Sequence, residues 1–185
     1  MEILDVVDEY GNPTGETVER EKAHEKGIMH RTSHVWLLRK KQGKVQILLQ
    51  KRSETKESFP GCYDISSAGH IPAGMDFVES AIRELQEELG VSASDDELIF
   101  CGDRIVIWND CFCGKPFHDR QYSRVFILWR DIDEEKFILQ KEEIDSVLWM
   151  DFNECISVIE HNQIRHCIYP GELKMVRNAV EASEC

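Results

Sequence analysis

Glu84, Glu87 and Glu88 stand at intervals of three and one in a stretch whose apolar residues recur at helical spacing. At about 100° per residue the three carboxylates share one sector of a helix. Val78, Ala81, Ile82, Leu85 and Leu89 fall on a neighbouring apolar stripe. Carboxylates this close repel one another and raise each other's pKa unless a cation sits between them. A helix face built for solubility would intersperse Lys with Glu, whereas Arg83 alone accompanies these three acids. The pattern points to a divalent cation, and an oxygen-only donor set suits Mg²⁺ or Mn²⁺ better than zinc.

The whole segment 69–91, GHIPAGMDFVESAIRELQEELGV, closely resembles the Nudix box, with Gly69, Arg83, Glu84, Leu85, Glu87, Glu88, Gly90 and Val91 at the matching spacings. One position departs: Met75, with Asp76 beside it, stands where the family has its first Glu, the residue that usually pairs with the Arg and props the loop. Asp76 or Glu79, the latter one turn back from Arg83, is expected to take over that pairing. The resemblance implies an α+β mixed-sheet α/β/α sandwich. It also implies metal-dependent hydrolysis of a nucleoside diphosphate linked to some other group. On that basis Glu84, Glu87, Glu88 and the backbone carbonyl of Ala68 would hold Mg²⁺ (or Mn²⁺), and Glu88, Glu87 and Arg83 make up the catalytic set.

A second resemblance lies outside the box. GIMHRTSHVWLL, LLQKRSETKESFPG and SSAGH look like segments of isopentenyl-diphosphate isomerase, itself a Nudix-fold enzyme. Arg52 and Lys56 match the pair that grips the isomerase's diphosphate and, with His70, are the substrate-binding candidates. His30, His70 and approximately His24 match histidines that help bind the isomerase metal, although His24 is read as ordinary polar packing. The proton-transfer groups of the isomerase are missing. Ala68 replaces its catalytic Cys, and Asp119 and Gln121 stand where it has paired glutamates. A Gln cannot take or give a proton as a carboxyl does. The scaffold therefore resembles the isomerase while the retained chemistry is that of the hydrolase, with the isomerase and a non-catalytic nucleotide-binding module as alternatives.

Composition sets wider bounds. A chain of 185 residues, 42% hydrophobic and 31% charged, fits a single Nudix domain over 1–185. A net charge of −13 supplies no basic footprint for a nucleic-acid polymer, yet a bound cation would still let a small diphosphate in. No apolar run reaches the ~20 residues of a membrane span, and no signal peptide is apparent at the N-terminus. Seven cysteines, an odd number, read as reduced thiols in a cytoplasm. Cys111 and Cys113 with His118 lack the second pair that a structural zinc site would need. The assembly is left as a monomer or a homodimer.

The elements that must carry these groups read in order as a strand at 3–7, a turn at 10–15, and a short helix at 19–26 stopped by Gly27. Strands at 32–39 and 45–50 flank a hairpin turn. A polar loop at 51–61 follows, with three basic residues, and then a strand at 63–68 leading into the box. After the helix come a loop at 92–97, one or two strands at 98–108, an irregular stretch at 109–116, and strands at 122–129 and 147–150. Asp151 is placed as the N-cap of a helix reaching Glu160, and a last helix spans 173–182.

Overall fold

The structure is a computed structural model that describes residues 2–112 and 114–183. A hairpin of β1 (Ile3–Val7) and β2 (Pro13–Glu19) leads into α1 (Arg20–Lys26), which ends on Gly27 in the left-handed conformation. Then follow β3 (His30–Lys41), β4 (Lys44–Arg52), β5 (Tyr63–Asp64), β6 (Ser67–His70) and α2 (Phe77–Leu89). The second half holds β7 (Ile99–Phe112), β8 (Lys115–Trp129), β9 (Ile144–Asp151), α3 (Phe152–Glu160) and α4 (Pro170–Ser183).

The main sheet runs β5-β4-β3-β8-β7, with β6 added to β3 and β9 added to β4. It is mixed: β3 pairs parallel with β8, and the other pairings are antiparallel. Alternation along β3 sends Trp36 and Leu38 into a core shared with α3 and α4, and Val35 and Leu37 into a core shared with α2. Helices therefore cover both faces, giving the expected α+β sandwich. Along one edge of β3, β4 pairs with residues 38–41 and β6 with residues 32–35. That fork lets β6 carry Ser67–His70 past the start of β3 and up against α2.

Several boundaries differ from the sequence reading. Residues 13–19, whose first part reads as a turn and whose last residue as the start of a helix, form β2; they are mostly exposed, so no apolar alternation marks them. Residues 99–108 and, among the described residues, the stretch 109–116 read as irregular belong to one long hairpin, β7–β8, with Gly114 at φ +76° in its turn. Its outer half mixes polar, aliphatic and aromatic residues that are exposed or partly buried on both faces, so no apolar alternation marks it. Residues 63–68 split into β5 and β6. Asp151 caps α3 as expected, accepting from Asn153 and Glu154 N–H at 3.0 and 3.1 Å. Of the Cys111–Cys113 pair, Cys113 lies outside the described residues, and Cys111 is a free, exposed thiol.

Candidate active site

Asp76 starts α2 by accepting the Glu79 N–H at 2.9 Å, and Gly90, left-handed at φ +68°, ends it. Between these caps the helix holds its acidic sector against β6. The Glu88 side chain is buried, with Oε2 accepting from Ser67 Oγ at 2.7 Å and from Ala68 N–H at 3.3 Å. Glu84 reaches the same strand one turn earlier. Its carboxyl lies so close to Gly69 that a Cβ at that position would collide with it. Burial pushes Glu84 up to about 7, with Arg83 opposing and Glu87 adding to the rise. Burial pushes Glu88 up to about 8; Ser67 opposes this and the Glu84 charge adds to it. A buried and a partly buried carboxylate, both raised by burial and set in a cradle only glycine leaves free, are what an oxygen-ligated divalent cation fits. Glu87 stands half-exposed at the edge of this pair.

Arg83 contradicts its expected pairing. It binds Glu84 and, at 3.2 Å, Glu87, while Asp76 is occupied as the helix cap. A guanidinium so placed spaces the two acids instead of propping the loop. The loop is held from elsewhere. Arg31 Nη2 donates to the Met75 carbonyl at 2.9 Å and to Asp5 Oδ2 at 2.8 Å, and the same oxygen accepts the Gly74 N–H at 2.9 Å. Met75 itself packs against the α2 core. Nothing in the sequence spacing linked Asp5, 70 residues upstream, to this loop.

The opposite face of β6 meets a second cluster. Imidazole nitrogens of His24, His30 and His70 lie within 4.8 Å of one another. His24 Nε2 is 3.2 Å from His70 Nε2, and Asp119 Oδ1 is 3.6 Å from His24 and 3.9 Å from His30. His24 thus lies in a cluster of possible metal donors, instead of the ordinary packing expected of it; α1, the short helix read at 19–26, carries it onto the sheet. Burial lowers all three histidines, His24 to about 3, and raises Asp119 to about 6. His30 Nε2 and Asp119 Oδ1 are buried without a hydrogen-bond partner. Gln121 donates to Asp119 at 2.8 Å and accepts from Thr32 at 3.3 Å. Further along, His34 and Trp36 meet the fully buried Glu172, which Arg104 also contacts at 2.6 Å. Sequence reasoning missed Glu172, although the alternation His30, Thr32, His34, Trp36 already marked one polar face of β3.

Arg52 and Lys56, expected at the phosphates, are engaged with protein groups. Arg52 binds Asp64 at 3.1 Å and the Ser58 carbonyl at 3.0 Å, and Lys56 pairs with Glu143. Arg52 therefore anchors the 53–61 loop onto β5. The structure brings Glu84, Glu88, Ala68 and Arg83 together on one side of β6 and the histidines on the other.

Comparison with known proteins bears on this arrangement. The model of the NUDIX domain matches residues 29–170. An uncharacterized Nudix hydrolase of Clostridium acetobutylicum is 33% identical over 160 residues, covering 86% of this chain and 75% of that protein. Nudix hydrolase 3 of Arabidopsis thaliana is 41% identical over 157 residues, 83% of this chain but 20% of that longer protein. Among solved structures, the DR0079 protein of Deinococcus radiodurans superimposes with a TM-score of 0.67 at 21% identity, covering 95% of this chain and 98% of that one.

Proposed function

The chain belongs to the Nudix family, and from that premise we propose that it is a divalent-metal-dependent pyrophosphohydrolase acting on a nucleoside diphosphate derivative or a related small diphosphate. The observation that carries this reading is the pair Glu84 and Glu88, buried side by side against Gly69 and Ser67 with carboxyls raised to about 7 and about 8. In this reading Glu84, Glu88, Glu87 and the Ala68 carbonyl hold Mg²⁺ or Mn²⁺. The bound cation supplies charge neutralisation at the phosphate oxygens and a more acidic water. Arg83 holds Glu84 and Glu87 in place, and Glu88, fixed by Ser67, orients and accepts a proton from the attacking water. His70, Arg52 and Lys56 face the substrate, the last two by exchanging Asp64 and Glu143 for phosphate oxygens. The unit is a single catalytic domain over residues 1–185, suited to a cytoplasm by its five described free cysteines.

Within the family we place the chain in an isomerase-like subgroup. The cluster of His24, His30 and His70 beside Asp119 supports that placement, since it repeats a nitrogen-rich donor set of the isomerase. Allylic isomerisation itself needs a proton donor and a proton acceptor on opposite sides of a double bond. Ala68 offers neither, and Gln121 is a hydrogen-bonded amide. Met75 in place of the family's first Glu favours a binding module, whereas Arg31 with Asp5 supplies the loop support that Met75 lacks.

The test is a panel of nucleoside diphosphate derivatives assayed for phosphate-monoester release in Mg²⁺ and in EDTA. Metal-dependent cleavage of at least one compound is expected. Deuterium incorporation into isopentenyl diphosphate, or binding across the panel with no cleavage in Mg²⁺ or Mn²⁺, would overturn the assignment.

A further inference from the structure

The loop after β4 crosses the sheet. Phe59, at its tip, meets Trp108 and Phe112 of β7 edge-on, with centroids 5.9 and 5.1 Å apart. Since the strand order is β4-β3-β8-β7, this contact bridges β3 and β8. Below it lie groups that share one face by register. His30 and Thr32 sit on β3, Asp119, Gln121 and Ser123 on β8, and Trp108 directly opposite Asp119 on β7. A continuous run of rings links the bridge to His70 on β6, the strand whose other face meets Glu84 and Glu88. Phe112 touches Phe117, Phe117 stacks on His24 at 4.6 Å, and His24 meets His70, the neighbour of Gly69.

Phe59 occupies the left-handed region at φ +50°, which a residue with a side chain rarely adopts. Two anchors keep it there: Arg52 on the Ser58 carbonyl, and the Cys62 N–H on the Phe59 carbonyl at 3.3 Å. The loop thus presents its ring to Trp108 and Phe112 by construction. Trp108 remains 49% exposed, so much of its indole surface is uncovered by Phe59.

We propose that Phe59 and Trp108 form a clasp for a planar aromatic ring, the base of a nucleoside diphosphate, exchanging their mutual edge contact for stacking on that ring. This rests on the hydrolase reading for the diphosphate end. The occupant follows from the mixed chemistry: aromatic faces above, and beside them Gln121 and Asp119, whose Oδ1 lacks a hydrogen-bond partner, while Thr32 and Ser123 are buried and bond each other at 2.7 Å. A saturated or isoprenoid chain would offer the unpartnered Asp119 oxygen no donor, whereas the amino edge of a base can.

The experiment uses the intact chain and the α,β-methylene diphosphates of adenosine, guanosine, cytidine and uridine, with methylenediphosphonate as the ring-free control. Affinity is measured by isothermal titration calorimetry and ring contact by tryptophan emission, both in Mg²⁺. At least one nucleoside compound should quench emission, the control should not, and Trp108→Phe should abolish the quench though three of the four tryptophans remain. Phe59→Ala and Trp108→Ala should weaken the nucleoside compound about tenfold or more and the control less than twofold, with melting temperatures near that of the parent. No quench by any nucleoside, or equal affinity in parent and variants, overturns the clasp. Hydrolysis that survives such a result leaves the hydrolase reading standing, and nucleoside binding without hydrolysis of any compound does the reverse.

Discussion

Arg31 donates to the main-chain carbonyl of Met75 at 2.9 Å, so the loop entering α2 is supported through its backbone and not through the side chain at position 75. The same guanidinium binds Asp5, and Asp5 takes the Gly74 N–H. Both charged side chains are largely buried. Removing one partner of a buried pair costs roughly 3–5 kcal/mol. Arg31→Ala should therefore lower stability in urea by that order and weaken Mg²⁺-dependent protection against melting. Met75→Glu should be tolerated, because the side chain it replaces carries no polar contact in this support. Equal stability of Arg31→Ala and the parent would remove this account of the loop.

Gly69→Ala places a methyl group into the Glu84 carboxyl. Overpacking of this kind costs about 1–3 kcal/mol, and here it also displaces a proposed metal ligand, so turnover should fall on the order of tenfold or more. Shortening the acid restores room: the double variant Gly69→Ala/Glu84→Asp should be more stable than additivity of the two singles allows. Strict additivity in urea denaturation would mean that the two residues do not meet.

The raised carboxyls give a pH signature in the metal-free protein. Glu84 and Glu88 bind protons more tightly folded than unfolded, so their stabilising contribution is fully present below about 4.5 and is lost as pH rises through about 7 and about 8. Melting in EDTA should show Glu88→Gln gaining on the parent between pH 5 and pH 8.5. Mg²⁺ should stabilise the parent more at pH 8 than at pH 5. A parent and a Glu88→Gln variant whose melting temperatures run parallel across that range would remove the signature.

Much of this site was legible before the fold. The spacing of Glu84, Glu87 and Glu88 placed them on one helix face, and Gly27 and Asp151 marked helix ends by local chemistry. What stayed hidden depends on contacts between distant residues. Asp5 reaches Gly74, and α1 brings His24 to His70, only because the β1–β2 hairpin packs beside β6. Arg83 was expected to pair backwards along the helix with Glu79 or Asp76. The N-cap took Asp76 out of play, and Glu84 and Glu87 took the guanidinium.

Glu172 supplies a prediction independent of catalysis. Burial pushes its carboxyl up, but His34, Arg104 and Trp36 together hold it below the usual range. Its contribution is present above the unfolded value near 4.5 and is lost as pH falls through the lower folded value. Glu172→Ala leaves His34 and Arg104 without their shared acceptor and should cost roughly 3–5 kcal/mol at pH 7. The deficit relative to the parent should shrink in acid. A loss under about 1 kcal/mol in urea denaturation at pH 7 would show that α4 docks without this network.

Hydrolysis in H₂¹⁸O tests the central claim most directly. With Mg²⁺ and a cleaved diphosphate from the nucleoside panel, mass spectrometry should find a single ¹⁸O on one phosphate product. The rate of its appearance should fall on the order of 100-fold or more in Glu88→Gln and in EDTA. Unlabelled products, or label appearing at the parental rate in Glu88→Gln, would contradict water activation at the Glu84–Glu88 site.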